Sequence, residues 1–197
     1  IDILDMDGQL LLSMRHKTGG KIEEYDYVHG GVPVYSEWPF VSKVLNGHVD
    51  EKGNKFSGYI ETEWGDFFYV SGPVFDDNDN QIAVILVGKT LNTIAEEMRA
   101  KTLGQITLYS ETGEIISSTL FEPKPVSKEI STEVFSFRDE ESYRSNPPRR
   151  EFDFENLSYR ELLSSWEIRS GTKVGMLGVA LAQNSLITAR SEEHTSE

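Results

Sequence analysis

The chain repeats itself. "DMDGQLLLS" at residues 5–13 returns as "SETGEIISS" at 110–118, and "QIAVILVGKTLNTI" at 81–94 returns as "KVGMLGVALAQNSLI" at 173–187. A repeat of this length forces both halves to build the same supersecondary unit. Each copy must therefore contain whatever lies between its two echoes.

The residues between the echoes define that unit. Asp7-Gly8 and Thr112-Gly113 sit between apolar runs and predict β-hairpins. "WPFVSKVLNG" predicts a short helix. Pro39 suits its first turn, Phe40, Val41, Val44 and Leu45 give it one apolar face, and Gly47 ends it. "KFSGYIETEWG", "DFFYVSGPVF" and "QIAVILVGKT" predict three strands, and "LNTIAEEMRAKT" an amphipathic helix. In the second copy residues 121–150 are polar and irregular, and by the repeat they should form a helix-bearing middle like that of the first copy. "REFDFENLSYRELLSSWEIRSGTKVGMLGVALA" then gives three strands turning at Glu155-Asn156 and Ser170-Gly171, and "QNSLITAR" should start a helix. The expected fold class is α+β, with two tandem PAS-like modules, each a five-stranded antiparallel sheet flanked by helices. The modules should span 1–102 and 103–189, the first without its N-terminal helix. The tail at 190–197, "RSEEHTSE", looks like a translated sequencing adapter and is left out of the fold reasoning.

Composition narrows the function. A formal charge of −14 excludes a nucleic-acid partner, because phosphate binding needs basic surface. With no cysteine there is no disulfide, no thiolate metal site and no cysteine nucleophile. No apolar run reaches the roughly 18 residues of a membrane span. Ile1 to Asp5 already reads as a strand, so a fragment of a longer protein is expected.

Catalysis finds no motif. His16, His29, His48 and His194 lack metal-ligand spacing, and no phosphate-binding or nucleophile-elbow sequence is present. Glu61 and Glu63 share a strand face and could pair as glycosidase carboxylates, but they also fit a solvated face in a chain with 33 acids. The acidic knot Asp76-Asp77-Asn78-Asp79-Asn80 lacks the central Gly and closing Glu of a calcium loop. Its counterpart in the second copy is "RSGT", so the position asks for turn formers rather than carboxylates. No catalytic residue, metal or cofactor is assigned.

At "DFFYVSGPVFDDNDNQIAVILVGKTLNTI" the chain resembles the double Cache family, extracytoplasmic sensor domains of bacterial transmembrane receptors. The carrying residues are Phe68-Tyr69, Ser71-Gly72-Pro73-Val74, Asp76 to Asn80, Ile82 to Val87 and Leu91, and "YRELLSSWEIRSGTKVGMLGVAL" is similar to the second module's version. The resemblance implies a ligand-sensing domain at the outer side of the cell membrane, anchored by flanking helices absent from this sequence. The output would be that of a chemoreceptor, histidine kinase or cyclase, and a homodimer is compatible with it. It also implies that the first module binds the ligand and the second couples it to the membrane. The alternative is a secreted enzyme or a structural surface module without a sensing role.

The expected ligand lining is Tyr35, Trp38, Tyr59, Glu61, Tyr69, Ser71 and Lys89, since Tyr and Trp offer an apolar body with a polar tip. Alternation divides the set, because Tyr59 and Glu61 share one strand face and Tyr69 and Ser71 another. The family's amino-acid-binding branch carries Arg-x-Trp-Tyr and a later Asp for the ligand amine. "YSEWPF" has Tyr35 and Trp38 but no Arg ahead of the Trp, and Lys89 stands where the Asp would. An ammonium holds an anion, so the implied partner is a small molecule of the organic-anion kind.

Overall fold

The computed structural model describes residues 1–183 except 18, 22, 31–32, 63–64, 138–139, 155 and 170–171. Of the helix expected from Gln183, residues 184–190 lie outside the described residues, as does the tail at 190–197. The chain divides into two compact units, Ile1–Thr90 and Leu91 onward.

The first unit comprises β1 (Asp2–Leu4), β2 (Leu10–His16), β3 (Tyr25–His29), a 3-10 turn (Pro33–Glu37), α1 (Pro39–Leu45), β4 (Phe56–Thr62), β5 (Gly65–Phe75) and β6 (Gln81–Thr90). The second comprises α2 (Leu91–Thr102), β7 (Gln105–Tyr109), β8 (Ile115–Ser118), α3 (Lys128–Ser136), α4 (Glu140–Ser145), β9 (Arg149–Phe154), β10 (Leu157–Ile168) and β11 (Thr172–Ala182). The sheets run β3-β2-β1-β6-β5-β4 and β8-β7-β11-β10-β9, with every pairing antiparallel. In both, the first strand of the opening hairpin lies beside the last strand of the meander. The repeated sequence is thus a repeated topology.

The first sheet has six strands rather than five. The extra strand, β3, is a mostly exposed edge held by backbone pairing to β2. Tyr25, Tyr27 and Val28 are strand-forming residue types, but a run this short and exposed has no core-facing side to mark it. Helix α2 lies within the second unit, whereas the sequence reading attached it to the first. It packs on β7 and β8, with Leu91 and Ala95 buried, and the Ser117 hydroxyl donates to Asn92 Oδ1 at 2.6 Å. Two helices stand in the irregular middle segment, where the repeat calls for a helix-bearing stretch. Of these, α3 is started by Ser127, whose side chain accepts from the Ile130 N–H, and it buries Val134.

Three turns share one construction. Asp5 Oδ1 accepts from the N–H of Asp7 and Gln9 at 3.0 and 2.8 Å. Ser110 Oγ accepts from Thr112 and Glu114 at 3.3 and 3.1 Å. Asp76 Oδ1 accepts from Asn78 and Asn80 at 2.9 and 2.8 Å. The residue three places on is left-handed each time: Gly8 (φ 80°), Gly113 (φ 93°) and Asp79 (φ 62°). The acidic knot is therefore a turn in which Asp76 satisfies backbone donors and Asp79 tolerates the left-handed region.

The first core gathers Leu4, Leu10, Val84 and Leu86 of the sheet against Tyr35, Trp38 and α1 residues Phe40, Val41 and Val44. The second gathers Tyr109, Leu163 and Met176 against Val126 and Val134.

Candidate functional site

Register sorts the first sheet's side chains into two faces. Gly58, Tyr69 and Gly88 pair across β4, β5 and β6, as do Phe56, Ser71 and Leu86. A Cβ on Gly58 would strike the Phe40 ring, and one on Gly88 would strike the Tyr69 ring. This row therefore faces α1. Tyr69 lies among rings there: centroids are 5.5 Å from Trp38 and 5.5 Å from Phe67, and Tyr35 lies 4.8 Å from Trp38.

The same face carries charge at its β1–β2 end. Asp2 and Ser13 are cross-strand partners, 2% and 0% exposed, and Arg15 follows Ser13 on the same face of β2. The Tyr35 hydroxyl donates to Asp2 Oδ1 at 3.4 Å, and Arg15 Nη2 donates to the Tyr35 oxygen at 3.3 Å. Burial and the neighbouring Asp2 carboxylate hold the Tyr35 phenol above the ordinary tyrosine value, against a lowering by Arg15. Ser13 Oγ has no hydrogen-bond partner among the described residues. A buried carboxylate with one long hydrogen bond beside an unfilled hydroxyl leaves acceptor capacity facing inward.

Of the seven expected lining residues, Tyr35, Trp38, Tyr69 and Ser71 are buried on this face. Ser71 has a structural task as well: its Oγ lies 2.8 Å from the Phe40 carbonyl and 3.2 Å from that of Phe56, tying α1 to β4 and β5. Tyr59, Glu61 and Lys89 stand elsewhere. Tyr59 pairs with Phe68 and Phe68 with Lys89, one step out of phase with the Gly58–Tyr69–Gly88 row, so these point to the opposite face. Lys89 is exposed, and Tyr59 donates to Glu61 Oε1 at 3.0 Å. On that face burial and Glu61 raise the Asp66 carboxyl. Glu63, the other half of the proposed carboxylate pair, lies outside the described residues.

Sequence reasoning missed Asp2, Ser13 and Arg15. They sit in a hairpin read only for its turn, and nothing local shows that Tyr35, twenty residues on, closes over them. The signal available was period two. Asp2 and Leu4 share a face, as do Ser13 and Arg15, so polar residues stand at core-facing positions.

The comparisons bear on this arrangement. A family model for the double sensory domain of two-component sensor kinases matches residues 30–187. The chain belongs to the double Cache sensor family. Among solved structures it is similar to the extracellular domain of vpHK1S-Z8, described as a histidine kinase. Identity is 13% and the TM-score 0.53, over 100% of this chain and 71% of that one. The Campylobacter jejuni chemoreceptor Tlp3 ligand-binding domain in complex with L-norvaline shows 13% identity and a TM-score of 0.49 over 93% of this chain and 65% of that one. An extracellular ligand-binding receptor from Desulfohalobium retbaense shows 12% identity and a TM-score of 0.47; this chain is covered over 91% and spans 29% of it. Among curated proteins none matches. At these identities the structural likenesses speak for the fold alone, an α+β pair of antiparallel-sheet modules.

Proposed function

We propose that this double Cache domain senses a small polar molecule outside the cytoplasm for a transmembrane receptor, and that the ligand docks on the α1-facing side of the first sheet. The observation that carries the reading is the buried Asp2–Ser13 pair beside Arg15 and Tyr35. A buried carboxylate and hydroxyl with open acceptor capacity are costly unless a donor reaches them. A ligand ammonium supplies that donor. The cation on this face is Arg15 rather than Lys89, and a guanidinium suits a ligand carboxylate. The ligand class is therefore a compact zwitterion, with the Tyr35, Trp38 and Tyr69 rings contacting its apolar part.

Thermal shift of the chain tests this directly, because a ligand that binds the folded state raises Tm. A panel of small α-amino acids, amines lacking a carboxylate and carboxylates lacking an amine is read on the native chain, Asp2→Asn and Arg15→Met. Zwitterions are expected to raise Tm in the native chain and in neither variant. A shift that survives both substitutions, or no shift with any of the three classes, ends the reading. The membrane setting is tested separately by the gene's full reading frame, in which apolar spans of about 20 residues are expected on both flanks.

A further inference from the structure

Matched hydrogen bonds fix which residues of the two modules correspond. The Asp5 and Ser110 turns are equivalent, and the pairings follow from them. Leu4↔Val84 answers to Tyr109↔Met176, Ser71↔Leu86 to Leu163↔Gly178, and Gly58↔Tyr69 to Arg150↔Glu161. Tyr69 on the floor of the first module's site thus corresponds to Glu161, and Gly58 beneath Phe40 corresponds to Arg150.

The second module fills that floor with its own ions. Glu161 is 0% exposed. Arg150 Nε donates to Glu161 Oε2 at 2.6 Å, and Arg150 Nη2 to the Tyr109 oxygen at 2.7 Å. The Tyr109 hydroxyl in turn donates to Glu161 Oε1 at 2.8 Å. The rest of the guanidinium turns away from the sheet, Nη1 donating to Pro125 O at 2.6 Å and Nη2 to Lys124 O at 2.7 Å. Beneath the pair, a Cβ on Gly178 would collide with Glu161 Oε1. The network ends in a strap. Next to the two held carbonyls, Val126 is buried and its N–H donates to Gly113 O at 2.9 Å, and Ser127 then caps α3.

A buried ion pair is a poor way to gain stability, since desolvation offsets most of the attraction and apolar residues of the same volume do as well or better. Its cross-strand position, and a guanidinium that reaches both the sheet and the strap, call for another role. We propose that Arg150 and Glu161 are a built-in occupant of the second module: the pair fills the floor where the first module's site lies and clasps residues 122–126, so that strap and α3 are closed on the sheet with no ligand bound. The module is then set in one state by its own sequence. The clasp stands whether or not the zwitterion reading of the first module does, and its test uses no ligand.

Hydrogen exchange by mass spectrometry on the full chain reads the clasp. Arg150→Lys keeps a cation opposite Glu161 but cannot span both strap carbonyls. Exchange at 121–136 is expected to rise about tenfold or more, the scale of a lost charge-assisted hydrogen bond, while β10 and β11 stay protected. Unchanged exchange at 121–136 overturns the proposal. If Arg150→Lys loosens the whole module, the double variant Arg150→Met with Glu161→Met decides, because it removes the charges together. A protected sheet with a fast-exchanging strap supports the clasp. A protected strap, or a double variant that does not fold, overturns it, since the pair is then an ordinary part of the core.

Discussion

The Tyr69 ring occupies the space that a side chain on Gly88 would need. The three heavy atoms nearest a Cβ built on Gly88 all belong to that ring. Gly88→Ala must therefore push Tyr69 into Trp38 and Phe67. A cost of about 1–3 kcal/mol is expected, as for other overpacked cores. Urea unfolding checks it, and Tyr69→Leu in the same chain should recover part of the loss. If Gly88→Ala is neutral alone, the ring does not lie where the structure puts it.

Ser71 lies on the α1-facing side of the first sheet and acts as a clip. With its hydroxyl gone, the Phe40 and Phe56 carbonyls lose a buried donor. Ser71→Ala is expected to cost about 1–3 kcal/mol of stability. Isothermal calorimetry with a zwitterion that stabilises the native chain should show unchanged affinity in this variant. A selective loss of affinity at full stability would make Ser71 a ligand contact instead.

Acid should loosen the Asp76 turn. Hydrogen bonds from the Asn80 side chain and backbone, and from Asn78, hold this carboxyl below the ordinary Asp value. A depressed folded pKa adds stability that is complete above the unfolded value of about 4 and lost as pH falls through the folded one. Stability curves of the native chain and Asp76→Ala should therefore converge below about pH 3 and separate above pH 5. Parallel curves across that range would mean the turn does not depend on the carboxylate. Calcium in millimolar excess should leave both curves in place, because the carboxylate oxygens already accept turn donors.

Repeat, topology and turn chemistry were legible because each rests on local grammar. Asp7-Gly8 and Thr112-Gly113 announce turns, and Pro39 with Phe40, Val41 and Val44 announces a helix. The edge strand Tyr25–His29 was not legible, since a mostly exposed strand needs only backbone partners. The repeat called for a helix in the middle of the second copy, but the place of α3 was hidden: its apolar residues are few, and Ser127 and Val126 become informative only once the strap is seen. The candidate site divided along the line that alternation drew. Tyr69 and Ser71 went together to one face, and Tyr59 and Glu61 to the other. Which face was which depended on the Phe40 and Tyr69 rings meeting glycines, a contact between segments about twenty residues apart. Asp2 and Arg15 became candidates only when Tyr35 was found between them.

That arrangement makes the Tyr35 phenol a reporter of the site. Burial is the larger cause of its raised pKa and the Asp2 carboxylate the next, with Arg15 pulling the other way. The neutral phenol is the form the folded state prefers. Its contribution to stability is therefore complete below the unfolded tyrosine value of about 10 and lost as pH rises through the folded pKa. Other tyrosines are also raised, so Tyr35 is isolated as the difference between the native chain and Tyr35→Phe in an ultraviolet titration. Asp2→Asn removes the repulsion between carboxylate and phenolate, so the Tyr35 step should move to lower pH. An Asp2→Asn chain whose Tyr35 step stays in place would show that the carboxylate and phenol are not coupled, and the proposed ligand cradle would lose its centre.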